Sequence, residues 1–394
     1  MTFKRPLTLI AIFAASSLGA QAPVTSYLVT RLGVDTVGLE RYTRTHSKLE
    51  GDVVLRYPRV RTFHYVADLG PNGEIKSLTT LVTRPGADAN TPPVLHAVTT
   101  FADSVAVIQV ERAGKADTTL SGRKIYHGRV VPTLGTEPPS YGLYEQALSS
   151  AKLGSDSIAY ALVGMGPGPV SAIILRRRGA DSVAFTSTFF PNWIEVAKVD
   201  PRGRITGIDA SATTVKVRAE RVPDLAFDNV VSQWAAYEAT RGGAIGQMSP
   251  PDTVRANVGG ANITVAYSRP AKRGRVIFGN IVPWNQVWRT GANAATQLTT
   301  DKDLVIGGTT VPAGKYTLWT TPTPTGGQLI INSETGQWGT DYHADKDFAH
   351  INLTSSLLAQ PVEQFVIGVA PLGSGGVLRM AWDNREFTVP ISVK

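Results

Sequence analysis

The chain contains no cysteine among its 394 residues. That absence excludes a disulfide framework, a thiolate metal or iron–sulfur site, and a cysteine nucleophile. It also excludes the lipid-modified cysteine of an anchored lipoprotein. Charge is sparse as well, with 18% Asp, Glu, Lys and Arg, and there are only 6 histidines. No Gly-x-Ser-x-Gly elbow and no His-Glu-x-x-His zinc motif occurs. "GMGPGP" (164–169) imitates a glycine loop, but Pro167 and Pro169 remove amide donors that a phosphate cradle needs. No apolar run is long enough to span a bilayer.

What is present suits β-structure. Thr, Val, Gly and Pro recur in short runs, with 38 glycines and 25 prolines, and hydrophobic residues make up 42% of the chain. At the start, Lys4 and Arg5 precede the apolar stretch Leu7 to Leu18, and Ala20-Gln21-Ala22 follows. A basic n-region, a short apolar core and a small-x-small site read as a signal peptide over residues 1–22. The expected product is an exported protein of the periplasm or exterior, soluble after cleavage near Ala22 and not membrane-spanning. The net charge of +8 is spread along the chain, with local runs at 176–178 and 269–275. With export, this charge points away from nucleic acid as a partner.

From residue 23 to 222 the pattern is repeated strands, which predicts a curved antiparallel sheet, half-barrel-like. In "RVRTFHYVADLGPNGEIKSLTTLVTR", Val60, Thr62, His64 and Val66 share one face. Pro71-Asn72-Gly73 supplies hairpin chemistry. "VADLGPNGEIKSL" (66–78) lines up with "VAKVDPRGRITGI" (196–208), a weak internal duplication of a hairpin. A helix is expected near 140–153, with Ser140 as N-cap, Leu143, Ala147, Leu148 and Ala151 on one face, and Gly154 as stop. Residues 223–249 read as a second helix, with Phe227, Val230, Val231 and Trp234 at helical spacing, and a linker. Over 250–394 six short strand candidates with one apolar face each predict an antiparallel β-sandwich. Leu378, Met380 and Trp382 share a face, as do Phe387, Val389 and Ile391, with Asp383-Asn384 read as a turn between them.

"YSRPAKRGRVIFG" (267–279), "VPWNQVWRTGANAATQL" (282–298), "VPAGKYTLWTTP" (311–322), "QWG" (337–339) and "AWDNREFTVPISV" stand in this C-terminal part. With these motifs the last 140 or so residues resemble the bacterial domain of unknown function 2911. The resemblance implies an exported β-rich domain and supplies no substrate. The N-terminal strand-and-turn pattern only loosely resembles curved antiparallel sheets that hold lipids in the bacterial envelope.

Two clusters could carry chemistry. Trp284 and Trp288 flank Arg289, with Asn293, Thr296, Arg269 and Arg275 nearby in sequence. A guanidinium fork beside indoles suits a carboxylate, a phosphate or a sugar face. The same residues could instead cap the sandwich core and satisfy loop carbonyls. In the second cluster Asp341, His343, Asp345, Asp347 and His350 could hold a metal, although a plain acidic loop with Asp turns is the favoured reading. His64 reads as a strand histidine. The expected function is non-catalytic binding, with no cofactor, of a lipid, a glycan or an anionic small molecule. The alternatives are a secreted hydrolase acting on an envelope polymer, or a purely structural or interaction module. Oligomeric state is not legible.

Overall fold

The computed structural model of the protein describes residues 24–88, 90–136, 138–151, 157–188, 193–241 and 247–394. The leader read at 1–22, the helix stop at Gly154 and the pair Gly242-Gly243, at which the sequence ends the second helix, lie outside the described residues. The protein is mainly β, with a large curved, open antiparallel sheet followed by a separate antiparallel sheet.

The N-terminal sheet has 16 strands. It runs from Arg129–Pro132 at one edge through Ser157–Val163 and on to Arg218–Val222. Arg218–Val222 then pairs with the first strand, Thr25–Leu32, and the sheet continues in chain order to Lys115–Ala116. Its neighbours are antiparallel except Arg129–Pro132 and Ser157–Val163, which are parallel. A parallel pair needs a crossover. Helix α1 (Tyr141–Ala151) lies in that connection.

Helix α1 begins where the sequence places a cap. Ser140 Oγ accepts from the amide of Leu143 at 3.3 Å. The helix buries Tyr141, Leu143, Tyr144, Ala147 and Ala151 in the core of the curved sheet. Its first turn is also seated on Glu40, of the strand Asp35–Arg44. That carboxylate receives Ser140 Oγ (2.7 Å), the amides of Tyr141 (2.8 Å) and Gly142 (3.0 Å), and Tyr65 Oη (3.0 Å). Negative charge at a helix N-terminus meets the orphan N–H groups and the positive end of the dipole. Burial nonetheless dominates and holds the Glu40 carboxyl above its ordinary range, against those four hydrogen bonds.

Strand alternation sends the neighbours of Glu40 to the opposite face. Leu39, with Val29, Val54 and Val60, packs against Phe227, Val231 and Trp234 of helix α2 (Phe227–Arg241). Arg41 on the same face lies over the Phe227 ring and pairs with Asp228 at 2.8 Å. Burying those three α2 side chains contributes roughly 1.5–3 kcal/mol each. The two helices therefore cover opposite faces of one sheet, which is why consecutive residues from Val37 to Glu40 are all buried.

The two hairpins that match in sequence also match in hydrogen bonding. Gly70 N–H donates to Glu74 O and Gly73 N–H to Gly70 O, while Asp200 N–H donates to Arg204 O and Gly203 N–H to Asp200 O. Gly73 and Gly203 take φ of 77° and 76°, a left-handed conformation that favours glycine. In the first hairpin the core face is Tyr65 and Ala67, with Phe63 packed against them. His64 faces outward and bonds Asp52 at 2.9 Å.

The C-terminal sheet has 9 strands, ordered so that Pro251–Val258 and Thr309–Val311 form its edges. Two long strands, Asp347–Leu372 and Gly375–Val393, slip register between Leu357 and Val366. The sheet thus bends over its own core, bringing Ile263, Val265 and Tyr267 together with Ile367, Met380 and Trp382. Tyr267 Oη accepts the Ile367 amide at 3.0 Å across that core. Asp383-Asn384 is not a turn between two strands. It lies inside the single strand Gly375–Val393, with Asp383 at φ 52°, in the segment where pairing slips. A bulge shifts the side-chain phase, so the buried face is even-numbered before it (Leu378, Met380, Trp382) and odd-numbered after it (Phe387, Val389, Ile391).

The tip of the first N-terminal hairpin docks on the C-terminal sheet. Val34 N–H donates to Arg273 O at 3.1 Å, and Arg273 pairs with Asp35 through a short charged contact. Further along, Asn293 Nδ2 donates to Ser249 O at 3.2 Å.

Candidate functional site: a rim cleft and a tryptophan–arginine loop

At one rim of the N-terminal sheet the hairpin turns and the last turns of α1 enclose a cleft of about 850 Å³. Its floor is apolar: Ile75, Phe101, Tyr126, Ala147 and Tyr160 are buried, and Leu69 and Val130 pack against them. Phe101 and Tyr126 meet edge to face at 5.9 Å. The rim carries Arg44, His46, Lys76 and Arg129 against Glu74 and Asp103. Lys76 is neutralised by Glu74 at 3.1 Å, and Arg129 is fixed by Ser150 O at 2.7 Å. Arg44 is exposed, with no ion pair among the described residues. Gln146 lines the cleft from α1. Its Nε2 donates to Gly73 O at 2.8 Å, and its buried Oε1 has no hydrogen-bond partner. Clefts of this size take one small organic ligand.

The loop 282–298 is built largely into the C-terminal core. Trp288 stacks on Trp382 at 6.0 Å and meets Phe365 edge-on at 5.1 Å, while its backbone exchanges two hydrogen bonds with Thr320. Trp284 stacks on Phe278 at 5.5 Å beneath the Arg385 guanidinium. Thr296 is fully buried, and its hydroxyl donates to Thr290 O at 2.7 Å. Asn293 ties the loop to Ser249 and Ser268. Arg269 pairs with Asp252 at 3.4 Å and donates to Phe365 O, and Arg275 donates to Lys272 O and Ala271 O.

Arg289 differs from these neighbours. It makes one long contact, 3.5 Å to Asn293 O, and no ion pair among the described residues. Its stem lies against Gly339, where a Cβ would fall 2.5 Å from Arg289 Cδ. Burial alone lowers its pKa. Asn285, Thr290 and Asn293 around it all have positive φ, at 60°, 51° and 60°. For the β-branched Thr290 that is a strained conformation. Trp338, bridged to Ala294, is 48% exposed beside this loop.

In the acidic segment, His343 bonds Glu334 at 2.7 Å, Asp345 pairs with Lys346, and Asp347 receives Asn332, Tyr342 and His350. The Asp341 amide donates to Trp338 O. Among the described residues no group of three or more His, Asp or Glu is arranged to hold a metal ion.

Sequence reading did not single out the cleft or Trp338. Trp338 stood inside a quoted motif. The cleft residues come from separate turns that only sheet curvature brings together, and no local signal marks them.

Fold and geometry define a mainly β protein of two successive antiparallel sheets, with a cleft at one rim and a strained arginine loop. Residues 249–391 match the family described as a protein of unknown function (DUF2911), as the C-terminal motifs implied. No curated protein matches the chain. Among solved structures, a DUF1089 family protein from Pseudomonas aeruginosa aligns with 52% of this chain and 95% of its own, at 9% identity and a TM-score of 0.31. A β-barrel-like protein of the unknown-function family DUF1849 from Brucella abortus covers 51% of this chain and 94% of its own, at 10% identity and a TM-score of 0.32.

Proposed function

We propose that the protein is an exported, non-catalytic binding protein for an amphiphile with an anionic head group, held in the rim cleft of the N-terminal sheet. The observation that carries this reading is the cleft itself. An apolar floor lies beneath a rim where Arg44 is exposed and has no ion pair among the described residues. Each methylene buried on the floor would add roughly 0.8 kcal/mol. The rim cations would orient the head group. Export rests on the leader read at residues 1–22, and no helix among the described residues is long and apolar enough to cross a membrane.

The test is calorimetric titration of the mature chain with oleate and with zwitterionic lysophosphatidylcholine. Oleate is expected to bind with saturation, and Arg44→Glu, on the exposed rim, to weaken oleate more than the zwitterion. If neither lipid binds, and protein gently prepared from its own host carries no lipid by native mass spectrometry, the reading fails.

A further inference from the structure

Helix α1 holds both copies of the repeated hairpin, through two consecutive side chains. Glu145 reaches the second copy, formed by strands Ile194–Val199 and Ile205–Asp209. Its carboxylate accepts the Ile205 amide at 2.6 Å and pairs with Arg221 at 2.5 Å. Arg221 Nε in turn donates to Ile205 O at 2.6 Å. Gln146 reaches the first copy, formed by strands Arg61–Leu69 and Ile75–Thr83. It makes a single bond there, from Nε2 to Gly73 O at 2.8 Å.

In other respects the copies correspond. Both shift register at the same place, at Asp68/Leu69 and at Lys198/Val199. Each docks that place on the neighbouring turn: Leu69 N–H donates to Ser47 O at 2.8 Å, and Val199 N–H to Asp181 O at 2.7 Å. Ile75 and Ile205, at matching positions, are both buried. The difference lies in the fastening. Hydrogen bonds to ionised groups are roughly twice as strong as neutral ones, so the second hairpin is clamped and the first is only latched.

The latched copy is the one that walls the cleft. Leu69 and residues 71–76 line one side, and Gln146, Ala147, Ser149 and Ser150 line the other. Within this wall the turn is bonded mainly to itself. Gly70 N–H donates to Glu74 O, Gly73 N–H to Gly70 O and Asn72 N–H to Glu74 Oε2, while Glu74 pairs with Lys76. Among the described residues, displacing the turn from α1 and from the neighbouring turn breaks two hydrogen bonds, those at Gly73 O and Leu69 N–H.

We propose that the turn at residues 70–74 is a movable wall of the cleft, latched to α1 by Gln146 and opened to admit the ligand's apolar body onto the floor at Ile75 and Ala147. This inference rests on the binding reading above and adds how the cleft is loaded.

The absence of native cysteine permits a reversible lock. A Cβ at Gly73 would lie 3.6 Å from Ser150 Cβ, within the span of a disulfide. Gly73→Cys combined with Ser150→Cys is therefore closed by oxidation and released by reduction, and oleate association is followed by stopped flow in both forms. Oxidation is expected to slow association about tenfold or more, and reduction to restore it. Equal rates in the two forms overturn the proposal, whereas a wild type that binds no oleate fails the binding reading instead. Native-state hydrogen exchange of the unliganded chain decides the wall without any ligand, and without the locked variant if that does not fold. The Leu69 amide is expected to exchange about tenfold or more faster than the Val199 amide. Gln146→Met, which keeps the bulk and loses the donor, should speed Leu69 further and leave Val199 as it was. Comparable exchange at the two amides, or a Leu69 rate that Gln146→Met leaves unaltered, overturns the proposal.

Discussion

Glu40 Oε1 and Ser140 Oγ, a hundred positions apart in the chain, are hydrogen-bonded at 2.7 Å beneath the first turn of α1. The contact joins the strand Asp35–Arg44 to the helix that fills the curved sheet, so the helix position depends on one buried carboxyl. Its pKa is raised chiefly by burial. Unfolded, Glu40 releases its proton near its ordinary value of 4.5, whereas folded it holds the proton to higher pH. In that window the native state binds more protons, so the contribution to stability is present at low pH and falls as pH rises. Denaturant melts of Glu40→Gln across this range should show a flatter dependence than wild type. An unchanged slope would sink the assignment.

Glu145 and Arg221 form a second tie between α1 and the sheet. They pair at 2.5 Å with little exposure, and Glu145 also accepts the Ile205 amide at 2.6 Å. Removing one partner of a buried pair strands the other. Glu145→Ala is expected to cost roughly 3–5 kcal/mol in chemical denaturation. The double variant with Arg221→Leu should recover part of that loss, and strict additivity would argue against coupling.

Gly33 sets the contact between the sheets. With φ of 61°, a Cβ there would lie 2.0 Å from the backbone oxygen of Arg273. Gly33→Ala should therefore detach the hairpin tip without unfolding either sheet. Calorimetry would show this as a split or broadened transition, and small-angle scattering as a larger radius. A variant indistinguishable from wild type on both counts would remove the docking role.

His343 bonds Glu334 at 2.7 Å, and that bond raises its pKa above the ordinary 6.5. NMR titration of the ring should show this shift, with Glu334→Gln returning it toward 6.5. The stability it brings is present at low pH and is lost as pH rises through the folded value. A ring that titrates the same in both proteins would contradict the bond.

Local chemistry was legible in the sequence. Ser140 marked the start of α1, Pro71-Asn72-Gly73 marked a hairpin, and the match between 66–78 and 196–208 marked two turns with one hydrogen-bond scheme. The apolar alternation on either side of Asp383 was read correctly. The bulge between was taken for a turn, because a break in phase looks the same whether a strand ends or swells. The C-terminal motifs pointed to the family whose model matches residues 249–391, but to no site, since most of their unusual residues serve packing. Trp288 stacks on Trp382, and Thr296 holds Thr290.

Tertiary structure decided what faces what. Sequence spacing cannot show that Val34 of one sheet meets Arg273 of the other, because sheet pairing and docking set that distance. Nor can it show that turns at 44–46, 69–76 and 101–103 converge on one cleft, since curvature accumulates over many strands. The sequence alone marked which segments form strands and where most of them turn, through period-two patterning and the φ preferences of glycine and asparagine. Which side chains line the cleft, and which meet across the two sheets, was decided only when the sheets curved and docked, because those contacts join residues far apart in the chain.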